Sequence, residues 1–238
     1  MTFAHTPTPI PLYPSTPPSP SAHLVITLGA RTRLGRAFLA QTPAHQHILL
    51  ARHPVDAAAL RAEFPTAQIQ LSSDPFPQPY SAVTIVACAL GLIHPKNSSW
   101  QEERDAADRD LAAIAAILAA YPSARVHVIY ISSILALTPR RTAWYSGWKN
   151  VIDGALIHLT SGHASALLSV LYPGQLREKK SLATFLFTTF DALATEIVAL
   201  IPAPAPHRRI VGRDARLYLL VRGLPTWLYN LDRKSVDQ

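Results

Sequence analysis

Short stretches in which nearly every residue is apolar alternate along the chain with stretches of helical spacing. Apolar runs of this length, ended by turn residues, are typical of strands that are buried on both faces. Seven such runs predict strands: HLVITLGA, HILLAR, AQIQLSSD, AVTIVACAL, RVHVIYISS, SALLSVLYPG and RRIVG. Five stretches between them predict helices: RLGRAFLAQT, PVDAAALRAEF, WQEERDAADRDLAAIAAILAAY, AWYSGWKNVIDGALIHLTSG and FTTFDALATEIVALI.

The order of these elements predicts the fold class. Wholly apolar strands that alternate with helices indicate a parallel sheet with helices on both faces. A βαβαβ unit followed by further βα units predicts one doubly wound parallel sheet of the α/β class, Rossmann-like in its topology. We therefore expect a single folded domain over residues 23–238.

The first 22 residues have a different composition. They contain seven of the 21 prolines in the chain. Proline removes a backbone donor and fixes φ, so this segment is expected to be a disordered or polyproline-type tail.

Composition narrows the environment and the partners. No apolar run reaches the roughly 18 residues of a membrane span, and the N-terminus lacks the apolar region of a secretory signal. A single cysteine, Cys88, fits a reducing compartment, so we expect a cytoplasmic protein. The formal charge is +7, but its arginines are spread out, which argues against nucleic acid as a partner. No Cys/His cluster has metal-ligand spacing, so no metal site is expected.

The first predicted strand runs into a glycine-containing turn, LGARTRLG, at residues 28–35. Gly29 lies at the strand end and Gly35 at the helix start, where a nucleotide-binding turn lets the backbone approach a pyrophosphate. Leu34 lies between them in the predicted binding turn. Arg33 occupies the place where a middle glycine would be expected.

Three arginines lie close to this turn in the predicted fold. Arg31 and Arg33 belong to the turn, and Arg52 ends the second strand, where an acidic residue would bind the 2′-hydroxyl of NAD. A guanidinium suits a 2′-phosphate through bidentate hydrogen bonds. We therefore expect NADP(H) to be preferred over NAD(H); the alternative is that these arginines are solvated.

A tyrosine and a lysine lie four residues apart in WYSGWK, at Tyr145 and Lys149. On a helix the two side chains share a face. A lysine cation beside a phenol lowers the pKa of the phenol, which makes tyrosine a usable general acid. The alternative is a surface pair in which the phenol packs on the lysine stem.

Taken together, these motifs resemble the short-chain dehydrogenase/reductase family. The glycine turn, Ser132-Ser133 at the end of the fifth strand, the Tyr145–Lys149 pair and LYPG after the sixth strand occur in the family's order and near its spacing. The resemblance covers roughly residues 23–225 and implies an oxidoreductase that interconverts a ketone and a secondary alcohol.

The resemblance also implies roles for individual residues. Tyr145 would be the general acid/base, Lys149 would lower its pKa and bind the nicotinamide ribose, and Ser133 would orient the substrate oxygen, with Ser132 as the alternative. The cofactor would in addition contact Asp74, Pro173 and Gly174.

The sequence departs from the family pattern at several positions. ACALG replaces the family's Asn-Asn-Ala-Gly, and Asp110 takes the place of a helix asparagine in its proton relay. A carboxylate cannot donate a hydrogen bond as an amide does. A catalytically weak or inactive cofactor-binding protein with a regulatory or scaffold role is therefore the alternative function. The small-molecule carbonyl or alcohol substrate is expected to be apolar, since FLFTTF lies in the predicted substrate loop.

The C-terminal stretch ARLYLLVRGLPTWLYNLDRK carries an apolar stripe interrupted at Pro225. Leaving large aliphatic side chains in water is costly, so something is expected to cover the stripe. The candidates are the protein's own substrate pocket, a second subunit in a homo-oligomer, or a membrane surface touched peripherally.

Overall fold

The computed structural model describes residues 23–42, 46–90, 99–137, 144–178, 186–202 and 204–221. The predictions for the proline-rich tail lie outside the described residues, as does the C-terminal stripe beyond residue 221. None of the described helices combines the length and the apolar character that crossing a lipid bilayer requires.

The central sheet has seven strands in the order β3-β2-β1-β4-β5-β6-β9, all of them parallel. Its strands are β1 (His23–Leu28), β2 (Gln46–Ala51), β3 (Gln68–Leu71), β4 (Ala82–Ala87), β5 (Arg125–Ile131), β6 (Ala166–Pro173) and β9 (His207–Val211). This confirms the predicted doubly wound parallel sheet. The strand order reverses between β1 and β4, and in such sheets the crevice at this reversal is where ligands bind.

Helices cover both faces of the sheet. They are α1 (Arg33–Gln41), α2 (Pro54–Glu63), α3 (Trp100–Ala120), α4 (Trp144–Ser161) and α5 (Phe190–Leu200). Successive residues of β1 point to opposite faces: Leu24 and Ile26 join the core under α3 and α4, whereas Val25 joins the core under α1 and α5. The apolar character of whole strands follows from this double burial.

Three local features have weaker sequence signals. A 3-10 turn (Ile134–Leu137) follows β5, two short strands β7 (Leu176–Arg177) and β8 (Thr188–Thr189) pair with each other, and residues 213–221 are helical. Strands of two residues show no periodicity, so hydrophobic patterning cannot reveal them.

The connection from β3 to β4 crosses the sheet without a helix. Its residues 72–81 include three prolines, which disfavour a helix there. Phe76 and Tyr80 instead pack against the main core, and the Tyr121 hydroxyl donates to Pro77 O over 2.6 Å. These contacts lie at the amino ends of β4 and β5. The crevice at the strand reversal opens at the opposite, carboxyl ends of the strands, and these contacts leave it open for a site.

Candidate active site

A cavity of about 610 Å³ opens at the carboxyl ends of β1, β4, β5 and β6. Four parts of the chain border it: the glycine turn, the segment after β4, the end of β5 with α4, and the segment from β6 to α5. The residues that line it are Arg31, Thr32, Arg33, Leu34, Arg36, Cys88, Ala89, Leu90, Ile131, Ser132, Ser133, Tyr145, Trp148, Lys149, Pro173, Gly174, Leu176 and Phe190. Most of the residues predicted for the site are therefore brought together here.

The glycine turn has the form that close backbone packing requires. Gly29 has φ +76°, a region that favours glycine, and a Cβ on it would lie 3.1 Å from the Ala89 nitrogen. A Cβ on Gly35 would overlap the carbonyl oxygens of Gly29 and Ala30. Any other residue at Gly35 would push α1 away from the turn.

The start of α1 suits a phosphate group. Thr32 caps the helix: its hydroxyl accepts from Gly35 N over 3.0 Å and donates to Gly29 O over 2.7 Å. The backbone N–H groups of Arg33 and Leu34 have no intrahelical acceptor, because they belong to the first turn. Free N–H groups and the positive end of a helix dipole are what a pyrophosphate binds. The residues of this turn therefore fit a dinucleotide.

The arginines of the turn lie at the rim of the cavity and pair with acidic residues. Arg33 contacts Glu178 over 2.9 Å, and its side chain is 69% exposed. Arg31 and Arg36 both contact Glu63, at 3.5 and 2.5 Å. These contacts lower the pKa of the Glu63 carboxyl, with the hydrogen bond from Arg36 as the largest cause. Arg36 was missed in the sequence, although it stands next to Gly35.

Arg52 and Asp110 bind each other instead of lining the cavity. The Nε and Nη2 atoms of Arg52 donate to the two carboxylate oxygens of Asp110 over 2.7 and 2.8 Å. Asp110 is buried on α3, and the Arg52 side chain is 30% exposed. The structure thus gives Arg52 a carboxylate partner where a 2′-phosphate was expected. It also places Asp110 outside the group formed by Ser133, Tyr145 and Lys149.

Asp74 likewise lies away from the cavity lining. Its carboxylate accepts from Leu71 N over 3.3 Å and so closes the turn after β3. The contact joins two residues of the same turn, so it gives no support to the prediction that Asp74 contacts the adenine of a cofactor.

Ser133, Tyr145 and Lys149 meet on one wall of the cavity. The 3-10 turn after β5 presents Ser133 toward α4, and its hydroxyl hydrogen-bonds the phenol of Tyr145. The Lys149 ammonium lies 5.9 Å from the centroid of the Tyr145 ring, one helical turn away. Tyr145 is 37% exposed, so a substrate can reach its hydroxyl, whereas Lys149 is buried.

The electrostatics of this pair differ from the sequence-based expectation. Burial raises the pKa of Tyr145 above its ordinary value, and only the hydrogen bond with Ser133 opposes that rise. Burial also lowers the pKa of Lys149 to about 8. Desolvation of the phenol is therefore the largest influence on its pKa in this structure, and the effect of Lys149 on the phenol stays a prediction.

Behind the wall lies a buried carboxylate that the sequence reasoning missed. Asp153, one turn after Lys149 on α4, accepts from Ser132 Oγ over 2.7 Å and from the Tyr172 hydroxyl over 3.0 Å. Lys149 Nζ donates to the Tyr130 hydroxyl over 3.2 Å. The available signal was the i, i+4 spacing of Lys149 and Asp153, which places the two on one helix face.

The opposite wall is formed by Pro173 and Gly174 after β6. Gly174 N donates to Val211 O over 3.3 Å, and Gln175 N donates to an oxygen of Asp214 over 2.7 Å. A Cβ on Gly174 would overlap the Asp214 carboxylate. Asp214 therefore fixes the backbone of this wall, a role the sequence did not indicate.

Cys88 lines the cavity but is not a nucleophile. It is buried, and burial raises the pKa of its thiol to about 12, so the thiol stays protonated at neutral pH. It acts as a small apolar residue next to the glycine turn.

No protein-family model matches the chain, and no curated protein matches it either. Solved structures do match it in fold. A short-chain dehydrogenase from Streptomyces avermitilis is 19% identical, with a TM-score of 0.58 over 91% of this chain and 98% of its own. A short-chain dehydrogenase/reductase family oxidoreductase from Burkholderia thailandensis is 13% identical, with a TM-score of 0.59 over 87% and 98%.

One further match has a cofactor derivative bound. It is an alcohol dehydrogenase from the archaeon Thermococcus sibiricus in complex with 5-hydroxy-NADP, 13% identical, with a TM-score of 0.52 over 81% of this chain and 97% of its own. At these identities the likeness concerns the fold. The chain therefore has the doubly wound α/β fold that is found in the structures of short-chain dehydrogenase/reductases.

Proposed function

We propose that this protein is a divergent short-chain oxidoreductase that uses NADP(H) to interconvert a ketone and a secondary alcohol. The observation that carries the proposal is the meeting of two separate constellations in one cavity. The glycine turn borders it on one side, and Ser133, Tyr145 and Lys149 border it on another. The two constellations come from distant parts of the chain.

The residues that would hold the cofactor are those of the turn and of the two walls. Gly29, Leu34 and Gly35 would hold the pyrophosphate, and Lys149 the nicotinamide ribose. The bound cofactor would supply or accept the hydride. Arg31, Arg33 and Arg36 outnumber their partners Glu63 and Glu178, and the net positive charge at the rim of this cavity favours a 2′-phosphate.

The chain's own side chains supply the proton and the orientation. Ser133 donates a hydrogen bond to the substrate oxygen, and Tyr145 donates its phenolic proton to that same oxygen as the alcohol forms. Lys149 in its charged form stabilises the phenolate that remains. The remaining lining is mostly apolar, with Leu90, Ile131, Trp148, Leu176 and Phe190, which supports an apolar carbonyl substrate.

A second candidate function is a cofactor-binding regulatory or scaffold protein that does not turn over substrate. Two observations favour it: Asp110 is engaged by Arg52, and burial raises the pKa of Tyr145. Both would weaken proton transfer while leaving the glycine turn intact.

The test begins with fluorescence titration of NADPH and NADH, followed by a panel of apolar ketones and secondary alcohols. We expect NADPH to bind more tightly and at least one carbonyl to be reduced. Tyr145→Phe should lower turnover by at least ~10²-fold while cofactor affinity changes little, because only the transferable proton is lost. Tyr80→Phe, at the opposite end of the sheet, is the matched control and should keep full activity.

The two functions predict different outcomes. Turnover that survives in Tyr145→Phe would refute the catalytic assignment. Tight NADPH binding without turnover of any carbonyl in the panel would favour the regulatory function. Equal affinity for NADPH and NADH would contradict the role of the arginines.

A further inference from the structure

Hydrogen bonds behind the candidate site hold two buried charged residues, Lys149 and Asp153, against the sheet. Both residues are on α4, one turn apart, and their exposed fractions are only 9% and 6%. Two opposite charges that are buried one helical turn apart stabilise each other, because neither is well solvated by water.

The directions of the hydrogen bonds are fixed by the donors available. Lys149 Nζ donates to the Tyr130 hydroxyl over 3.2 Å, and Ser132 Oγ donates to Asp153 Oδ1 over 2.7 Å. Tyr130 belongs to β5 and Ser132 follows it by two residues, so both charged groups of α4 are held to the same end of β5.

The groups around Lys149 and Asp153 come from β5, β6, β9 and α4 itself. β5 contributes Tyr130, and β6 contributes Tyr172, whose hydroxyl donates to Asp153 Oδ2 over 3.0 Å. Tyr145 lies on α4, with its ring 5.9 Å from the Lys149 ammonium. Burial raises the pKa of the Asp153 carboxyl, and the hydrogen bonds from Ser132 and Tyr172 and the charges of Lys149 and Arg208 of β9 oppose that rise.

We propose that Asp153 is a positioning residue of this site, which balances the buried charge of Lys149 one turn away on α4 and holds Ser132, the neighbour of Ser133. Its part in catalysis rests on the proposed function, whereas its effect on Lys149 does not. Asp110, on α3, is by contrast bound to Arg52.

The electrostatic consequence has a definite sign. Burial lowers the pKa of Lys149 to about 8, and Asp153 acts in the opposite direction. Removing the carboxylate must therefore move the titration of Lys149 to lower pH. The amine would then be largely neutral at physiological pH and would no longer stabilise a phenolate.

The primary test measures the lysine directly, without substrate or cofactor. The chain contains five lysines, so ¹³Cε-labelled lysine gives few NMR signals, and Lys149→Met assigns the one of interest. The chemical shift is followed against pH in the parent, Asp153→Asn and Asp153→Glu. Asp191→Asn, an exposed carboxylate at the start of α5, is the matched control.

We expect the Lys149 midpoint to fall by roughly one pH unit in Asp153→Asn, the usual effect of losing a nearby opposite charge. It should return toward the parent value in Asp153→Glu and stay unchanged in Asp191→Asn. If Asp153→Asn does not fold, Asp153→Ser replaces it, because it removes the same charge with a smaller polar side chain and must shift the midpoint in the same direction. An unchanged midpoint in a folded variant would overturn the proposal.

Activity provides a separate readout. With a carbonyl that the parent reduces, the alkaline limb of the kcat/KM profile should move to lower pH in Asp153→Asn. A merely structural Asp153 would lower Tm and leave this limb in place, which contradicts the proposal. Absence of turnover in the parent would refute the proposed function alone, since the lysine titration would still decide the role of Asp153.

Discussion

His127 lies in the middle of β5, and its environment predicts a measurable acid sensitivity of the fold. The side chain is 1% exposed, and its Nε2 is 2.8 Å from Ser169 Oγ. Ser169 donates its own proton to Ala205 O over 2.9 Å, so the imidazole must be the donor in the first bond. Among the described residues, its Nδ1 has no partner. Protonating that atom would place a charged N–H in the core without an acceptor.

The magnitude follows from the pKa. Burial is the main cause that lowers the pKa of His127 to about 4, helped by the nearby His207 and His23, against 6.5 for an ordinary histidine. Because the folded pKa is the lower one, the unfolded chain binds the extra proton first. The stability is complete above about pH 6.5 and is lost as the pH falls toward 4. Linkage gives a loss of about 2 kcal/mol between pH 7 and pH 5, and about 3 kcal/mol at lower pH.

The assay is urea unfolding at pH 7, 6 and 5, followed by circular dichroism, in the parent and in His127→Gln. Glutamine keeps a donor for Ser169 but does not titrate. Between pH 7 and pH 5 the His127→Gln variant should therefore lose about 2 kcal/mol less unfolding free energy than the parent. His158→Gln, on the exposed face of α4, is the control and should behave like the parent. Equal losses in the parent and in His127→Gln would refute the argument.

Three further predictions concern the candidate site. Gly35→Ala should cost about 1–3 kcal/mol and weaken NADPH binding, because its methyl group overlaps Gly29 O; an unchanged Tm and affinity would contradict the role of the turn. Arg33→Ala should weaken the binding of NADPH about tenfold and leave the binding of NADH unaffected, as measured by fluorescence titration. An equal loss of affinity for both cofactors would contradict a contact between Arg33 and the 2′-phosphate. Lys149→Ala should impair both NADPH affinity and turnover, whereas a purely structural lysine would affect neither.

The elements of the fold could be predicted from the sequence because double burial makes most residues of its strands apolar. Leu24, Val25 and Ile26 illustrate this, since neighbouring residues enter different cores and none can be polar. The two-residue strands and the 3-10 turn could not be predicted, because they depend on tertiary contacts more than on periodicity.

The candidate site was predicted in part. The positions of Ser133, Tyr145 and Lys149 follow from strand ends and helix spacing, which fix the backbone, whereas the role of Ser133 is what the family resemblance implies. Strand ends and helix spacing do not determine which residue a given side chain will contact. Arg52 was expected at a phosphate because of its place after β2, but it reaches Asp110 on α3, 58 residues further along the chain. Asp153 was missed because its importance arises from burial beside Lys149, and burial of one helix face is a property of the packed structure.

The Arg52–Asp110 pair also bears on how the proposed cofactor preference could be changed. An acidic residue at position 52 is the simplest step toward NAD, since it would bind the ribose hydroxyls. Here that substitution would place a second carboxylate against buried Asp110, in the place of a guanidinium with two charge-assisted hydrogen bonds. Breaking a fully buried pair costs about 3–5 kcal/mol, and the cost here is smaller because the Arg52 side chain is 30% exposed. We therefore expect an acidic residue at position 52 to be better tolerated when Asp110 is changed with it.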